Sequence, residues 1–137
     1  MPLPEILNIG FKTDEPKLRK VKLPIEEIAI SDIENNMDIS YREQEGTDDW
    51  NLTPRMCLEN FEKEIWHAKK ILEADLQYPI ELYFHKEQWI ILDGVHRFTK
   101  AMYLGHTTIK VRKICEDIAQ KTKRTGKKYK KWKGENK

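Results

Sequence analysis

The chain has 137 residues, of which 39% are hydrophobic and 35% charged, so it is polar but globular in composition and long enough for one domain. No stretch approaches the roughly 20 consecutive apolar residues of a membrane-spanning helix. The opening residues, MPLPEILNIG, lack the basic and apolar regions of a signal peptide. We therefore expect no membrane association and a cytoplasmic location, with Cys57 and Cys115 as buried, reduced thiols.

The net charge of +2 hides an uneven distribution of charge along the chain. Residues 119–137 contain nine Lys/Arg and one acidic residue, whereas acidic residues outnumber basic ones before them. This distribution predicts a domain over 1–118 and a basic, disordered tail over 119–137. Tyr129 and Trp132 lie among the lysines, which suits contact with DNA or RNA through Lys121–Lys137. The alternative is a disordered end that only adds solubility.

The first third of the chain shows few clear elements. Residues 1–16 contain three prolines and a glycine and predict an irregular arm. Residues 17–23 (KLRKVKL) alternate apolar and basic side chains, which predicts a strand. Pro24 opens the sequence PIEEIAI, for which we expect a turn or a short helical segment. Residues 33–46 are polar and contain turn-forming residues, so irregular structure is expected there.

The segment from Thr53 to about Asp75 predicts the longest helix. Thr53 can cap its start, and Pro54 occupies the first helical position. Apolar residues at alternating spacings of three and four predict one buried face, made of Leu58, Phe61, Ile65, Ala68 and Leu72. His67 lies at the border of that face, and Tyr78-Pro79 ends the helical pattern.

Strands and one further helix follow. Residues 80–85 (IELYFH) and 88–93 (QWIILD) predict two strands that can pair as a hairpin. A helix over 95–104 is stopped by Gly105, and residues 107–114 predict a half-buried strand. The order strand, helix, strand, strand, helix, strand predicts an α/β (α+β) fold with a mixed sheet and packed helices.

The turn after the second hairpin strand has an unusual charge pattern. Asp93-Gly94 leads into a helix. The first two turns of this helix carry three basic residues, His96, Arg97 and Lys100. A helix N-terminus normally favours acidic side chains, but it also binds anions, and glycine allows a ligand to approach the backbone closely. The pattern favours a phosphate site; the alternatives are that Asp93 only caps the helix and that the basic residues are solvated.

Several short motifs surround this turn in a defined order. They are Ala74-Asp75-Leu76, Tyr78-Pro79-Ile80, Asp93-Gly94-Val95-His96-Arg97, Lys100-Ala101 and Gly105. With these motifs, the span 74–114, about the middle third of the chain, resembles the core of the ParB/sulfiredoxin superfamily, in particular small ParB-like proteins with a DG-x-HR turn. The resemblance implies a compact α/β domain in which the glycine turn and the helix start hold nucleotide phosphates.

Members of this superfamily differ in chemistry. Partition proteins bind and hydrolyse CTP and load onto DNA, sulfiredoxins use ATP and a cysteine in the turn, a free-serine kinase uses ADP as phosphate donor, and some ParB-like proteins are described as nucleases. Val95 stands where the sulfiredoxin cysteine would fall, so sulfiredoxin activity is excluded. The turn and the short segment after Cys115 also argue against a full partition protein. The kinase turn (Asp-Gly-His-Thr-Arg) matches this sequence at Asp93, Gly94 and Arg97, whereas histidine is shifted by one position, to His96.

The resemblance implies a set of phosphate-binding residues, namely Gly94, Val95, His96, Arg97 and Lys100. Arg97 is the expected bidentate clamp, and Lys100 adds a second charge. His96 would contact a phosphate or relay a proton, and Asp93 would hold Mg²⁺ or act as a base. His67 and Tyr78 are expected to face the same cleft. For Arg97 the alternative is a surface ion pair.

Three functions follow from these expectations. The first is a nucleotide-binding domain for ATP, ADP or CTP with Mg²⁺, which carries out phosphoryl transfer or nucleotide hydrolysis. The second is a DNA- or RNA-binding or regulatory ParB-like module, or a nuclease, that uses the same turn and the basic tail. The third is a scaffold without chemistry that binds another protein.

Overall fold

A four-stranded mixed sheet forms the centre of the fold. The computed structural model describes residues 4–41 and 51–124. Its strands are β1 (Glu26–Ala29), β2 (Ile80–His85), β3 (Gln88–Asp93) and β4 (Thr108–Ile114). They lie in the order β1-β4-β2-β3, and only the β2–β4 pair is parallel. The predicted mixed sheet with packed helices is therefore confirmed.

Five α-helices accompany the sheet in the described part of the chain. They are α1 (Glu15–Lys20), α2 (Pro54–Glu59), α3 (Ile65–Glu73), α4 (Val95–Tyr103) and α5 (Glu116–Lys121). On α4, Phe98 and Ala101 are buried in the same core as Ile80 and Leu82 of β2. Residues Ile80–Tyr83 of β2 are all buried, which places this strand at the centre of the core with both faces covered. Within the described ranges, no helix combines the length and the apolar character needed to cross a bilayer.

The N-terminal third differs from the sequence-based expectation. The predicted strand over 17–23 is wrong, because residues 15–20 form α1, whose start is capped by the Asp14 side chain accepting from the Lys17 N–H at 3.2 Å. The turn or helix expected for PIEEIAI is also wrong, since Glu26–Ala29 form β1. This edge strand is mostly exposed, so no apolar alternation marks it in the sequence.

The remaining N-terminal segments are partly helical. Within the predicted irregular arm, Glu5–Leu7 form a 3-10 helix. Residues Ile30–Asp38 form 3-10 turns with a kink at Ile33, whereas irregular structure was expected from residue 33. The part of that expectation that covers residues 42–46 lies outside the described residues.

The prediction of a single long helix from Thr53 is wrong in its length. The structure has two helices in this segment, α2 and α3, with a break after Asn60. The Thr53 side chain caps α2 as expected, accepting from the Met56 N–H at 3.0 Å. The break interrupts the continuous helical spacing on which the predicted apolar face depends, and two residues of that face, Ile65 and Leu72, are exposed. His67 is buried instead, and this change brings it toward the site described below.

The C-terminal half follows the predicted boundaries closely. The hairpin strands have the expected limits, and Lys86 and Glu87 form its two-residue turn with positive φ angles of 51° and 66°. Gly105 ends α4 with φ of 76°. Residues 119–124, assigned to the basic tail from sequence, belong to the domain at least in part, since Ala119 and Thr122 are buried. The rest of that tail, 125–137, lies outside the described residues.

The two cysteines have different surroundings. Cys57 on α2 is buried, and burial raises the pKa of its thiol to about 11. Cys115 is exposed, so the expectation that both thiols are buried is wrong for this residue.

Candidate functional site

The chain turns sharply between β3 and α4 at Gly94. This residue has φ of 105°, a backbone conformation that side chains disfavour. A Cβ atom there would also lie 2.7 Å from Ile80 Cγ2. Glycine is therefore required both by the backbone angle and by the close approach of β2. No side chain caps α4, and its first turn contains no acidic residue. Asp93 thus does not serve as the N-cap, and that alternative is wrong.

A cavity of about 670 Å³ opens in front of this turn. Four Lys or Arg side chains line it, namely Arg19, Lys70, Arg97 and Arg112. Four acidic side chains line it as well, namely Glu73, Asp75, Glu81 and Asp93. Its volume lies within the range of small-molecule sites in proteins, roughly 300–1,000 Å³. The volume and the lining therefore suit a small-molecule ligand with both charged and polar groups.

The Asp93 carboxylate interacts with two arginines beside the turn. Arg19 Nε donates to Asp93 Oδ2 at 3.0 Å, and Arg97 Nη2 lies 3.6 Å from the same oxygen. The hydrogen bond to Asp93 raises the pKa of Arg19 above its ordinary value. Arg97, the predicted clamp, thus lines the cavity while it is held by a neighbouring carboxylate. Arg19 was not predicted from the sequence, because α1 lies far from the turn along the chain.

Glu81 and Arg112 form a buried ion pair in the cavity wall. They are partner residues of β2 and β4, with Glu81 3% and Arg112 7% exposed. Arg112 Nε lies 3.5 Å from Glu81 Oε2. Burial and the nearby charge of Asp93 raise the pKa of Glu81 to about 7, although Arg112 opposes this shift. The wall of the cavity therefore contains a carboxyl group that exchanges a proton near neutral pH.

Glu81 and Arg112 were also missed in the sequence. A single acidic residue inside the apolar strand IELYF is the signal that could have identified Glu81. Arg112 gave no such signal, because it stands in the basic series Lys110, Arg112 and Lys113 of a strand expected to be half exposed.

The two predicted histidines meet beside the turn. His67 Nδ1 on α3 lies 3.3 Å from His96 Nε2 on α4, and His67 is only 6% exposed. A hydrogen bond between these rings needs one protonated and one unprotonated nitrogen. The Trp66 ring packs edge-on against His67, with ring centroids 4.9 Å apart. His96 lines the cavity, whereas His67, which was expected to face it, does not and contacts the site through the His96 ring.

No family model matches the chain, and no curated protein matches it. The resemblance to the ParB/sulfiredoxin superfamily accordingly rests on the motifs alone and stays a prediction.

The remaining predicted residues have different positions relative to the cavity. Val95, buried at the start of α4, and Tyr78, 63% exposed, both line it. Lys100 does not line it, because its ammonium group donates to Leu72 O at 2.9 Å and to Ala74 O at 2.7 Å. These carbonyls belong to the C-terminal end of α3, where a positive charge is favourable.

The predicted Mg²⁺ ligand, Asp93, is the nearest carboxylate to the turn. The described ranges contain no group of three or more His, Cys, Asp or Glu side chains arranged around one metal position. Asp93 Oδ2 already interacts with two guanidinium groups. Asp93 fits a metal as one carboxylate ligand to an ion whose other ligands include phosphate oxygens and water, which is a common arrangement for Mg²⁺.

Proposed function

We propose that the cavity in front of Gly94 binds the phosphate groups of a nucleotide. The observation that carries the proposal is the start of α4, which lacks a capping side chain and an acidic residue and opens into a cavity beside Arg97. The positive end of a helix and a guanidinium group at one place favour an anion with several oxygen acceptors. His96 lines the same cavity and adds a further group that can contact a phosphate oxygen.

The nucleoside part of the nucleotide would lie against the cavity wall formed by the segment between α3 and β2. Glu73 and Asp75 line the cavity there, and carboxylates accept hydrogen bonds from ribose hydroxyl groups. Tyr78, which is 63% exposed, offers an aromatic face on which a base can stack. The acidic and aromatic residues thus suit the nucleoside, while the arginines suit the phosphates.

Phosphoryl transfer or nucleotide hydrolysis is the chemistry that suits this proposal. Both reactions need a group that accepts a proton from the attacking oxygen. Glu81, with a pKa of about 7, and the imidazole of His96 line the cavity and can accept a proton there. A Mg²⁺ ion that enters with the nucleotide would neutralise phosphate charge, with Asp93 as its protein ligand.

Calorimetric titration of the full chain with ATP, ADP and CTP, with and without Mg²⁺, tests the proposal. We expect saturable binding of at least one nucleotide and a loss of about tenfold or more in affinity for Arg97→Ala, because a charge-assisted bidentate contact is removed. Arg55→Ala is the matched control, since Arg55 is exposed and pairs with Asp38. Absence of binding for all three nucleotides in both conditions would contradict the proposal.

Nucleic acid is the alternative ligand, and two exposed aromatic side chains favour it. Trp66 is 52% and Tyr78 63% exposed, and exposed aromatics beside basic groups form stacking platforms for single strands. This function predicts oligonucleotide affinity that falls steeply with salt and decreases when 125–137 are deleted. Oligonucleotide binding without binding of free nucleotides would favour this function over the first.

A further inference from the structure

Two arginines from distant parts of the chain meet at one carboxylate oxygen. Arg19 on α1 and Arg97 on α4 both approach Asp93 Oδ2, at 3.0 Å and 3.6 Å. One carboxylate neutralises only one of the two guanidinium charges. The positive end of α4 lies directly beside them. Glu81, the other acid at this corner, is paired with Arg112. Arg19, Arg97 and Asp93 together therefore leave one positive charge that a bound anion would balance.

The backbone of Arg19 is anchored although its side chain is not buried. Leu18, the preceding residue, is fully buried, and Arg112 Nη2 donates to Leu18 O at 3.1 Å. Arg112 Nη1 lies 3.5 Å from Arg19 O. The C-terminal end of α1 is thereby fixed to β4 at the edge of the cavity.

The side chain of Arg19, in contrast, can change its partner at low cost. It is 58% exposed, so its ion pair with Asp93 is screened by water and contributes little to folding stability. An exposed arginine on a fixed backbone can move from a carboxylate to a phosphate without a change in the fold. Arg97, which is 18% exposed, has less freedom and marks the fixed side of the site.

We infer that Arg19 is a phosphate-binding residue of this cavity and that, with Arg97, it binds a ligand that carries at least two linked phosphate groups. The inference rests on the proposed phosphate binding at the Gly94 turn. Before the ligand binds, Asp93 holds the two guanidinium groups near the turn. When the ligand binds, Arg19 exchanges its contact with Asp93 for a contact with a phosphate group. The site would then prefer diphosphates and triphosphates to a single phosphate.

Titration with inorganic pyrophosphate in buffer with EDTA tests the inference without metal or nucleoside. We expect Arg19→Ala to weaken binding by about tenfold, the loss typical of one charge-assisted contact in a partly solvated site. Lys20→Ala is the matched control, because it removes the same charge from the next residue of α1, which does not line the cavity. We expect it to change the affinity by less than about twofold, since exposed charges are screened.

The outcomes separate this inference from the proposed function. A loss for Arg19→Ala that clearly exceeds the loss for Lys20→Ala supports it. If Arg97→Ala abolishes pyrophosphate binding while Arg19→Ala resembles Lys20→Ala, the role of Arg19 is overturned and phosphate binding at the turn stands. If the unchanged protein binds neither pyrophosphate nor any nucleotide, both proposals are overturned. Thermal unfolding of each variant checks that the fold is retained.

Discussion

Glu81 and Asp93 occupy partner positions on β2 and β3, so two carboxyl groups face one cavity from adjacent strands. Glu81 is also the partner of Arg112 on β4, across the parallel pair. The sheet therefore places a buried acid between a second acid and a buried arginine. Burial and the charge of Asp93 outweigh the attraction of Arg112, and they raise the pKa of Glu81 to about 7.

This raised pKa predicts a loss of stability as pH rises. The unfolded chain loses the Glu81 proton near its ordinary pKa of 4.5, whereas the folded chain keeps it up to about pH 7. The folded state thus binds more protons between these values, and its free energy of unfolding should fall there by up to about 3 kcal/mol. We expect Glu81→Gln to remove most of this slope in urea unfolding measured from pH 4.5 to pH 8.

The comparison has to use the slope, because replacing one carboxyl oxygen with an amide nitrogen also changes the contacts of the side chain, by an amount that the titration of Glu81 does not set. Glu26→Gln is the control, since Glu26 is an exposed acid on the edge strand that pairs with Lys113 at 3.4 Å. Equal pH slopes for Glu81→Gln and the unchanged protein would show that folding does not raise the pKa of Glu81.

The Gly94 turn should be sensitive to a single added methyl group. In Gly94→Ala the Cβ atom would meet Ile80 Cγ2 at 2.7 Å, at a φ of 105°. Backbone strain and overpacking together should reduce the free energy of unfolding by about 2–4 kcal/mol. Gly105→Ala is the matched control, since Gly105 also has positive φ but its Cβ would meet no atom within 4 Å. We expect a cost of about 1 kcal/mol there. Similar losses for both variants, measured by denaturant unfolding, would contradict the tight contact with β2.

The sequence predicted the segments in which local pattern decides the structure. The sequences of β2 and β3 are short runs of apolar or alternating residues, and Gly105 marks the end of α4. The hairpin and α4 could therefore be located without tertiary information. The edge strand β1 could not, because an exposed edge has little apolar patterning. The break after Asn60 was also missed, since the apolar spacing continues across it.

The candidate site was predictable only where it lies within one continuous segment. The turn from Asp93 to Arg97 could be identified because its glycine and basic residues are neighbours in sequence. Glu81 and Arg112 could not be paired in advance, because their contact depends on the parallel register of β2 and β4. Arg19 depends in addition on the packing of α1 against β4.

A buried polar network fixes the outer edge of β3, and Tyr41 is its central group. Its hydroxyl donates to Asn36 Oδ1 and accepts from the Ile91 N–H at 2.7 Å, and burial raises the pKa of Tyr41. Tyr41→Phe would leave both partners without this hydrogen bond, so we expect a loss of about 1–3 kcal/mol in the free energy of unfolding. Tyr103→Phe is the control, since Tyr103 is 51% exposed. If the two variants unfold at the same urea concentration, the network does not stabilise the sheet edge.

Substitution of the basic residues at the start of α4 should distinguish a residue that stabilises the fold, Lys100, from one that binds phosphate, Arg97. Lys100 donates to Leu72 O and Ala74 O at the end of α3 and does not line the cavity. Lys100→Met keeps most of the aliphatic stem but removes two charge-assisted hydrogen bonds, so stability should fall by about 1–3 kcal/mol. Affinity for pyrophosphate should change by less than about twofold, because the lost charge is engaged elsewhere. Arg97→Ala should show the reverse, with weakened binding and a smaller loss of stability, since its ion pair with Asp93 is long at 3.6 Å. A large loss of binding without a loss of stability in Lys100→Met would instead identify Lys100 as a phosphate ligand, as its place in the sequence motif predicts.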